Sequence, residues 1–319
     1  MEYTTLGKTG LKVSVAGLGC GGFSRLGLSA GKTEAEAALL VCEAIDMGIN
    51  FIDTAPIYGT EVVVGKALKS TRQSVVVATK ASVGRNGEWR TPAQMVESLE
   101  SSLRLLGTDH IDIFQLHGVS ISAYAHARDI LVPTMIEQKA KGKIRHIGIT
   151  ELATEDDQHE MLSRAAYDGF WDVFMIAFHM MHQSARKTIF PLTRESRIGT
   201  LLMFAVRSIF AKPERVAVAV HEAVAKGQVQ KWLGQTAEPL AFLIHEGGAS
   251  NITEAAYRFV RHEPGVDVVL FGTGDTEHLR TNIESLLKPP LPEADREKLA
   301  TLFGHLVGVG MDAPRMQGS

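Results

Sequence analysis

Eight short apolar runs, each followed by a stretch of helical periodicity, set the tightest limit on what this chain can fold into. The runs are VSVAGLG ending at Gly19, NFID ending at Asp53, SVVVATK ending at Lys80 and IDIFQLH ending at His117. They continue with KIRHIGIT ending at Thr150, WDVFMIAF ending at Phe178, GTLLMF ending at Phe204 and VDVVLFG ending at Gly272. Each is β-branched or aromatic and apolar on both faces, as parallel strands covered on both sides read. Between them, Thr33 and Glu36 form a capping-box pair for a helix to Met47, with Ala38, Cys42 and Ile45 on one face. Thr91 and Pro92 open another, which Val96, Leu99, Leu103 and Leu106 stripe before Gly107 stops it. Further helices are predicted around 133–141, 154–167, 213–226, 253–262 and 276–287, with one more after Pro292.

Eight β/α units without a composition break predict one closed (β/α)8 TIM barrel domain spanning 1–319. A hairpin at 3–13 precedes it, and a helix and tail at 292–319 follow it. The stretch 205–252 is too long for a simple crossover and reads as a flap with its own helix. Hydrophobic residues at 45% and charged residues at 22% exclude disordered and fibrous classes. A net charge of −3 gives no field to attract nucleic acid or anionic lipid. Two cysteines, Cys20 and Cys42, exclude a disulfide scaffold and point to a reducing cytoplasm. The opening MEYTTLGKTGLK lacks a signal-peptide core, and no stretch approaches the roughly 18 apolar residues of a spanning helix.

Polar residues collect where strands end: Asp53 and Tyr58 after the second, Lys80 after the third, His117 after the fourth. In a barrel these ends share one face, where active sites of the fold lie. Lys80 needs a counter-charge, which Asp53 supplies. A lysine beside Tyr58 is expected to pull the phenol pKa down and make it a general acid for a carbonyl oxygen. His117 can donate a second hydrogen bond to that oxygen. Taken singly, Lys80 is a solvated strand end, Asp53 a turn acid and Tyr58-Gly59 a turn. Their joint placement on three consecutive strands is what points to chemistry.

FIDTAPIYG (51–59), VATK (77–80), QLHG (115–118) and the opening LGKTGLKVSVAGLGCGGF resemble the aldo-keto reductase superfamily, in order and spacing from the hairpin to about residue 290. The resemblance implies a barrel that moves hydride between NADP(H) or NAD(H) and a carbonyl or alcohol. It makes Tyr58 the proton donor, Asp53 and Lys80 its tuning pair, and His117 the substrate-orienting residue.

The cofactor wall departs from the family pattern. Where a Ser/Asn pair usually holds the carboxamide after strand five, this chain has Thr150 and Glu151. The expected Gln on strand six aligns with Met175, which cannot make the same hydrogen bonds, and His179 is the candidate substitute. Met203 stands where an aromatic stacks on the nicotinamide, and Phe204, Ala205, Val206 and Arg207 lead the phosphate loop. After strand eight, Gly272, Thr273 and Gly274 resemble the adenosine-binding segment, with Thr273 and the next helix N-terminus suited to a phosphate. Asn282 matches the adenine contact. The cations that commonly clamp a 2′-phosphate are replaced by Gly272 and His278, which weakens the case for strict NADP(H); His278, Arg280 and Arg207 are the candidates to compensate, and the choice of cofactor is open.

Gly17-Leu-Gly19-Cys-Gly21-Gly22 also satisfies G-x-G-x-x-G, but about ten residues separate it from the cap at Thr33; Gly22 and Phe23 read instead as the floor beside the nicotinamide. HMMH (179–182) has no companion ligand at suitable spacing, so no metal is expected. Phe23, Tyr58, Trp89 and His117 are the predicted pocket walls, favouring a small aldehyde, ketone or sugar. GIT at the end of strand five resembles the aldose and galactose dehydrogenase branch. Two other readings stay open: a non-catalytic nicotinamide-binding regulatory subunit, and a Rossmann dehydrogenase with an open sheet. The sequence leaves the oligomeric state unknown.

Overall fold

The computed structural model describes residues 1–85 and 87–311. An antiparallel hairpin comes first, β1 (Tyr3–Thr5) with β2 (Lys12–Ser14). The following strands are β3 (Ala16–Gly19), β4 (Phe51–Asp53), β5 (Val76–Ser82), the short β6 (Gly84–Arg85) and β7 (Glu88–Trp89), and β8 (Ile111–Val119). The last four are β9 (Ile144–Glu151), β10 (Val173–Ala177), β11 (Gly199–Met203) and β12 (Val268–Phe271). Eight of these close into a parallel barrel in the order β3-β4-β5-β8-β9-β10-β11-β12. All eight predicted strands are the barrel strands. The closed barrel overturns the Rossmann reading, and the glycines after β3 run into an irregular turn at Arg25–Ala30 rather than directly into a helix.

Alternation along each strand sorts side chains into two cores. Phe51, Val76, Ala78, Ile113, Val173, Met175, Leu201 and Val268 fill the barrel, joined from the hairpin by Leu6 and Val13. Ile52, Val77, Phe114, Leu116, Ile147, Ile149, Phe174, Ile176 and Leu202 face the helices. The same alternation turns Asp53, Lys80, Gln115, His117 and Thr150 inward, and Glu151 outward.

The helices Glu34–Asp46 and Pro92–Leu106 start at the predicted residues, Thr33 with Glu36 in a capping box and Thr91 before Pro92, where Gln94 completes a second capping box. The first buries Ala37, Leu40, Val41 and Ala44, so Ala38, Cys42 and Ile45 flank the buried face rather than forming it. In the second, Met95 is buried in place of Val96. The helix predicted over 154–167 is only Glu160–Ala165, because the Asp156 carboxylate accepts from the Glu160 and Met161 N–H groups and starts it late. Helices at Glu61–Ala67, Ala185–Thr188 and Phe190–Ser196 lack a readable signal; the first is short and carries three consecutive valines. The stretch 205–252 holds helices Ser208–Ala211 and Pro213–Ala225.

After the helix Glu293–Phe303 the chain folds back onto the strand ends. Gly308 N–H donates to His182 Nδ1 at 3.2 Å, His305 Nε2 donates to the Gln228 carbonyl, and Met311 packs with Ala153, Ala177, Met203 and Phe204. The rest of the predicted tail, 312–319, lies outside the described residues. Among the described residues no helix is long and apolar enough to cross a membrane.

Candidate active site

Asp53 ends β4, Lys80 sits in β5 opposite Gln115, and His117 follows two residues later on β8. Their inward alternation brings them to one mouth. Lys80 Nζ lies 2.6 Å from Asp53 Oδ2, donates to the Thr54 carbonyl at 2.9 Å, and stands 5.0 Å from the centre of the Tyr58 ring. Tyr58 Oη is 3.3 Å from His117 Nε2, with the two rings edge to face. Tyr58 is carried by a tight turn, Pro56–Tyr58, which Gly59 closes at φ +66°. Arg25, in the turn after β3, donates from Nε to the Tyr58 carbonyl at 2.6 Å. The phenol ring lies against Gly21, where a Cβ would stand 2.7 Å from it, so only glycine admits the ring here.

The electrostatics correct one expectation. Burial is the largest influence on the Tyr58 phenol and raises it above its ordinary value, against the pull of Lys80. The lysine lowers the cost of the phenolate without overcoming desolvation, so the phenol keeps its proton at neutral pH. Burial also opposes the charge on Lys80, but Asp53 and Tyr58 outweigh it and hold the ammonium above its ordinary value. Lys80 is fully buried and Asp53 is 4% exposed, so neither charge has water to replace its partner.

The predicted cofactor wall divides. Thr150 faces inward, and its hydroxyl accepts from the Gly118 N–H at 2.6 Å, leaving its own proton to donate. Glu151 is committed elsewhere: Oε1 accepts from the Ala177 N–H at 2.7 Å and Oε2 faces His159 Nδ1 at 2.7 Å. His159 Nε2 in turn reaches Ser184 at 2.9 Å. Glu151 therefore belongs to a buried network behind the wall, an outcome of its outward register. Met175 is buried in the barrel and Met203 lines the mouth. His179 is buried against Phe210, with Nδ1 accepting from the Met181 N–H, and burial holds its ring well below the ordinary histidine value.

Phe204 takes φ +74°, costly for a residue with a Cβ, and lies under the Arg207 guanidinium at 3.6 Å. The same guanidinium is 5.7 Å from the half-exposed Phe23 ring, so Arg207 spans the loops after β3 and β11. Ala205 is buried and Val206 partly so, whereas a Cβ on Gly22 would meet open space. Trp89 is stacked on His126, with ring centres 6.1 Å apart.

The segment after β12 also differs from expectation. Asp275 caps the helix Thr276–Leu287, accepting from the His278 N–H, while Thr273 Oγ1 accepts from the Asp275 N–H. The helix N-terminus offered to a phosphate already carries a carboxylate. Arg280 points to Glu43, 3.0 Å away, while His278 is exposed and Asn282 partly exposed.

A nicotinamide dinucleotide can be weighed against this donor set. The Thr150 hydroxyl, the Met203 face, the Arg207 cation and the side-chain-free backbone at Gly22 and Gly272 suit it; Glu151 and Arg280 are bonded elsewhere. The residues fit the group, and the Arg207 guanidinium over Phe204 is a cation suited to an anionic part of it. Sequence reasoning missed Arg25, Gln115 and Met311. Only Gln115 had a readable signal, its place two residues before His117 on the inward face.

The aldo/keto reductase family description matches residues 17–302. The chain is similar to the oxidoreductase YqkF of Bacillus subtilis, 26% identical over 96% of each chain. It is also similar to L-galactose dehydrogenase of Arabidopsis thaliana, 27% identical over 94% of this chain and 92% of that one. In structure it resembles the holo form of aldo-keto reductase AKR11C1 from Bacillus halodurans, with a TM-score of 0.72 at 22% identity over the whole of both chains.

Proposed function

The chain belongs to the aldo/keto reductase family, and from that membership we propose that it is an NAD(P)(H)-dependent oxidoreductase interconverting a small aldehyde, ketone or aldose with its alcohol. The observation that carries the reading is Lys80, buried between the Asp53 carboxylate at 2.6 Å and the Tyr58 ring, with His117 3.3 Å from the phenol oxygen.

A reduced nicotinamide, when bound, supplies the hydride for the carbonyl carbon. Tyr58 delivers its phenol proton to the carbonyl oxygen, giving the alcohol. The phenolate left behind is stabilised by Lys80, whose charge Asp53 holds in place. His117 donates to the same oxygen and aims the carbonyl. Arg207 would hold the diphosphate, Thr150 would donate to the carboxamide, and Met203 would pack on the ring. The likeness to L-galactose dehydrogenase supports an aldose among the substrates.

The test is a panel of aldehydes, ketones and aldoses, followed through NADPH and NADH absorbance with Tyr58→Phe alongside. Turnover lost in the variant supports the reading. Cofactor binding without turnover on any carbonyl would favour the regulatory-subunit alternative.

A further inference from the structure

Gln115 lies on the inward face of β8 two residues before His117, in register with Lys80 of β5 on one side and Gly148 of β9 on the other. It is fully buried. Its Nε2 donates to Asp53 Oδ1 at 3.3 Å, while Lys80 takes the other oxygen, Oδ2. A Cβ on Gly148 would stand 2.8 Å from Gln115 Cγ, so β9 leaves space for this side chain by carrying none of its own. The other end of the amide, Oε1, has no partner among the described residues. An amide kept for packing alone would have both ends satisfied, because an orphaned buried acceptor is costly. This one meets that cost while holding one oxygen of one carboxylate.

We propose that Gln115 is a positioning residue for the reaction: it holds the Asp53 oxygen that Lys80 does not use, keeping the carboxylate ionised and turned so that Lys80 stays aimed at the Tyr58 phenol. The inference rests on the proposed function above. The groups facing Asp53 are Lys80, Tyr58, Gln115 and the Cys20 thiol after β3. His117 faces the phenol, and Glu61, bonded to Thr79, lies behind Lys80. Removing the amide donor withdraws a bond to the ionised form of Asp53, so its carboxyl must rise.

The experiment compares Gln115→Leu and Gln115→Met, which keep bulk without a donor, with wild type and Tyr58→Phe. Expected is a fall in kcat of about tenfold, the worth of one hydrogen bond to a charged group. KM and cofactor affinity should stay within about twofold, since the amide touches neither ligand. The acid limb of the kcat/KM profile should move to higher pH, and the melting temperature at neutral pH should fall only modestly, because the orphaned amide oxygen is removed while Asp53 Oδ1 loses its donor. Unchanged kcat with an unchanged profile overturns the proposal. So does a fall in kcat that tracks the melting temperature with the profile unmoved, because that is mere packing. Should the leucine variant fail to fold, the methionine variant carries the same expectations. If Tyr58→Phe keeps wild-type turnover, the failure belongs to the proposed function instead.

Discussion

Glu151 and His159 meet at 2.7 Å with both side chains shut away from solvent, and this pair closes the barrel wall between β9 and β10 from behind. Burial opposes a charged His159, but Glu151 more than offsets it and holds the ring above the ordinary histidine value. A histidine raised in the folded state adds stability that is whole below about pH 6.5 and is lost as pH rises through the raised value. Glu151→Gln should therefore lower stability by about 3 kcal/mol at neutral pH and flatten that decline. Cofactor affinity should change less than twofold, about 0.4 kcal/mol. Calorimetry and a fluorescence titration check both; a tenfold weaker cofactor with an unmoved melting temperature would return Glu151 to the cofactor wall.

Tyr58→Phe should reduce kcat for carbonyl reduction by about 10²–10⁴-fold while leaving cofactor binding nearly unchanged. In the proposed reaction the hydroxyl acts on the substrate oxygen, and the ring that packs on Gly21 is retained. A variant keeping more than half of wild-type kcat would sink the assignment of the proton donor.

Lys80→Met strands the Asp53 carboxylate in a site with almost no solvent, so unfolding free energy should fall by about 3–5 kcal/mol at neutral pH. The phenol, already raised by burial, loses the cation that opposed that rise. The kcat/KM profile should change shape, and an unaltered profile would deny the Lys80–Tyr58 coupling.

The barrel, the hairpin and the strand-end residues were legible because two-sided apolar runs ending in Asp53, Lys80 and His117 leave one topology and one face. Glu151 was misjudged because motif alignment carries position without direction. Its neighbour Thr150 faces the barrel, so Glu151 had to face the helices. The Tyr58 pKa was misjudged in sign because the lysine is visible in sequence and the desolvation is not. Met311 was illegible because its contacts come from at or just beyond the ends of β9, β10 and β11, more than a hundred residues upstream.

His182, the docking point for Gly308, is pushed down to about 3 by burial and then by the neighbouring His159. The unfolded chain takes up that proton below about pH 6.5 while the folded chain refuses it until about 3, so stability must fall as pH drops through this window. Each such group contributes a slope approaching about 1.4 kcal/mol per pH unit. His182→Asn, which still offers Gly308 an acceptor, should lessen the slope in pH-dependent thermal melts. An identical slope would mean that His182 is not among the groups responsible.

Under the proposed function, cofactor choice turns on which cation would meet a 2′-phosphate at the segment after β12. Arg280 is held by Glu43, which also accepts from Thr276, so it points toward the helix Glu34–Asp46 rather than the mouth. Lys32 stands on the other side. A Cβ on Gly27 would lie 2.6 Å from Lys32 Cδ and 3.1 Å from the Gly274 carbonyl. Asp275, held below the ordinary carboxylate range first by the His278 backbone N–H and also by Lys32, puts negative charge on the same turn. That charge opposes a further phosphate. We expect the preference for NADPH over NADH to stay within about tenfold, roughly 1.4 kcal/mol, at neutral pH. Asp275→Asn, which keeps a side-chain oxygen for the cap, should increase it. Lys32→Ala should weaken NADPH more than NADH, and Arg280→Ala should alter neither. Equilibrium titrations with both cofactors decide the matter: a large NADPH preference abolished by Arg280→Ala would mean that Arg280 leaves Glu43 when the phosphate arrives.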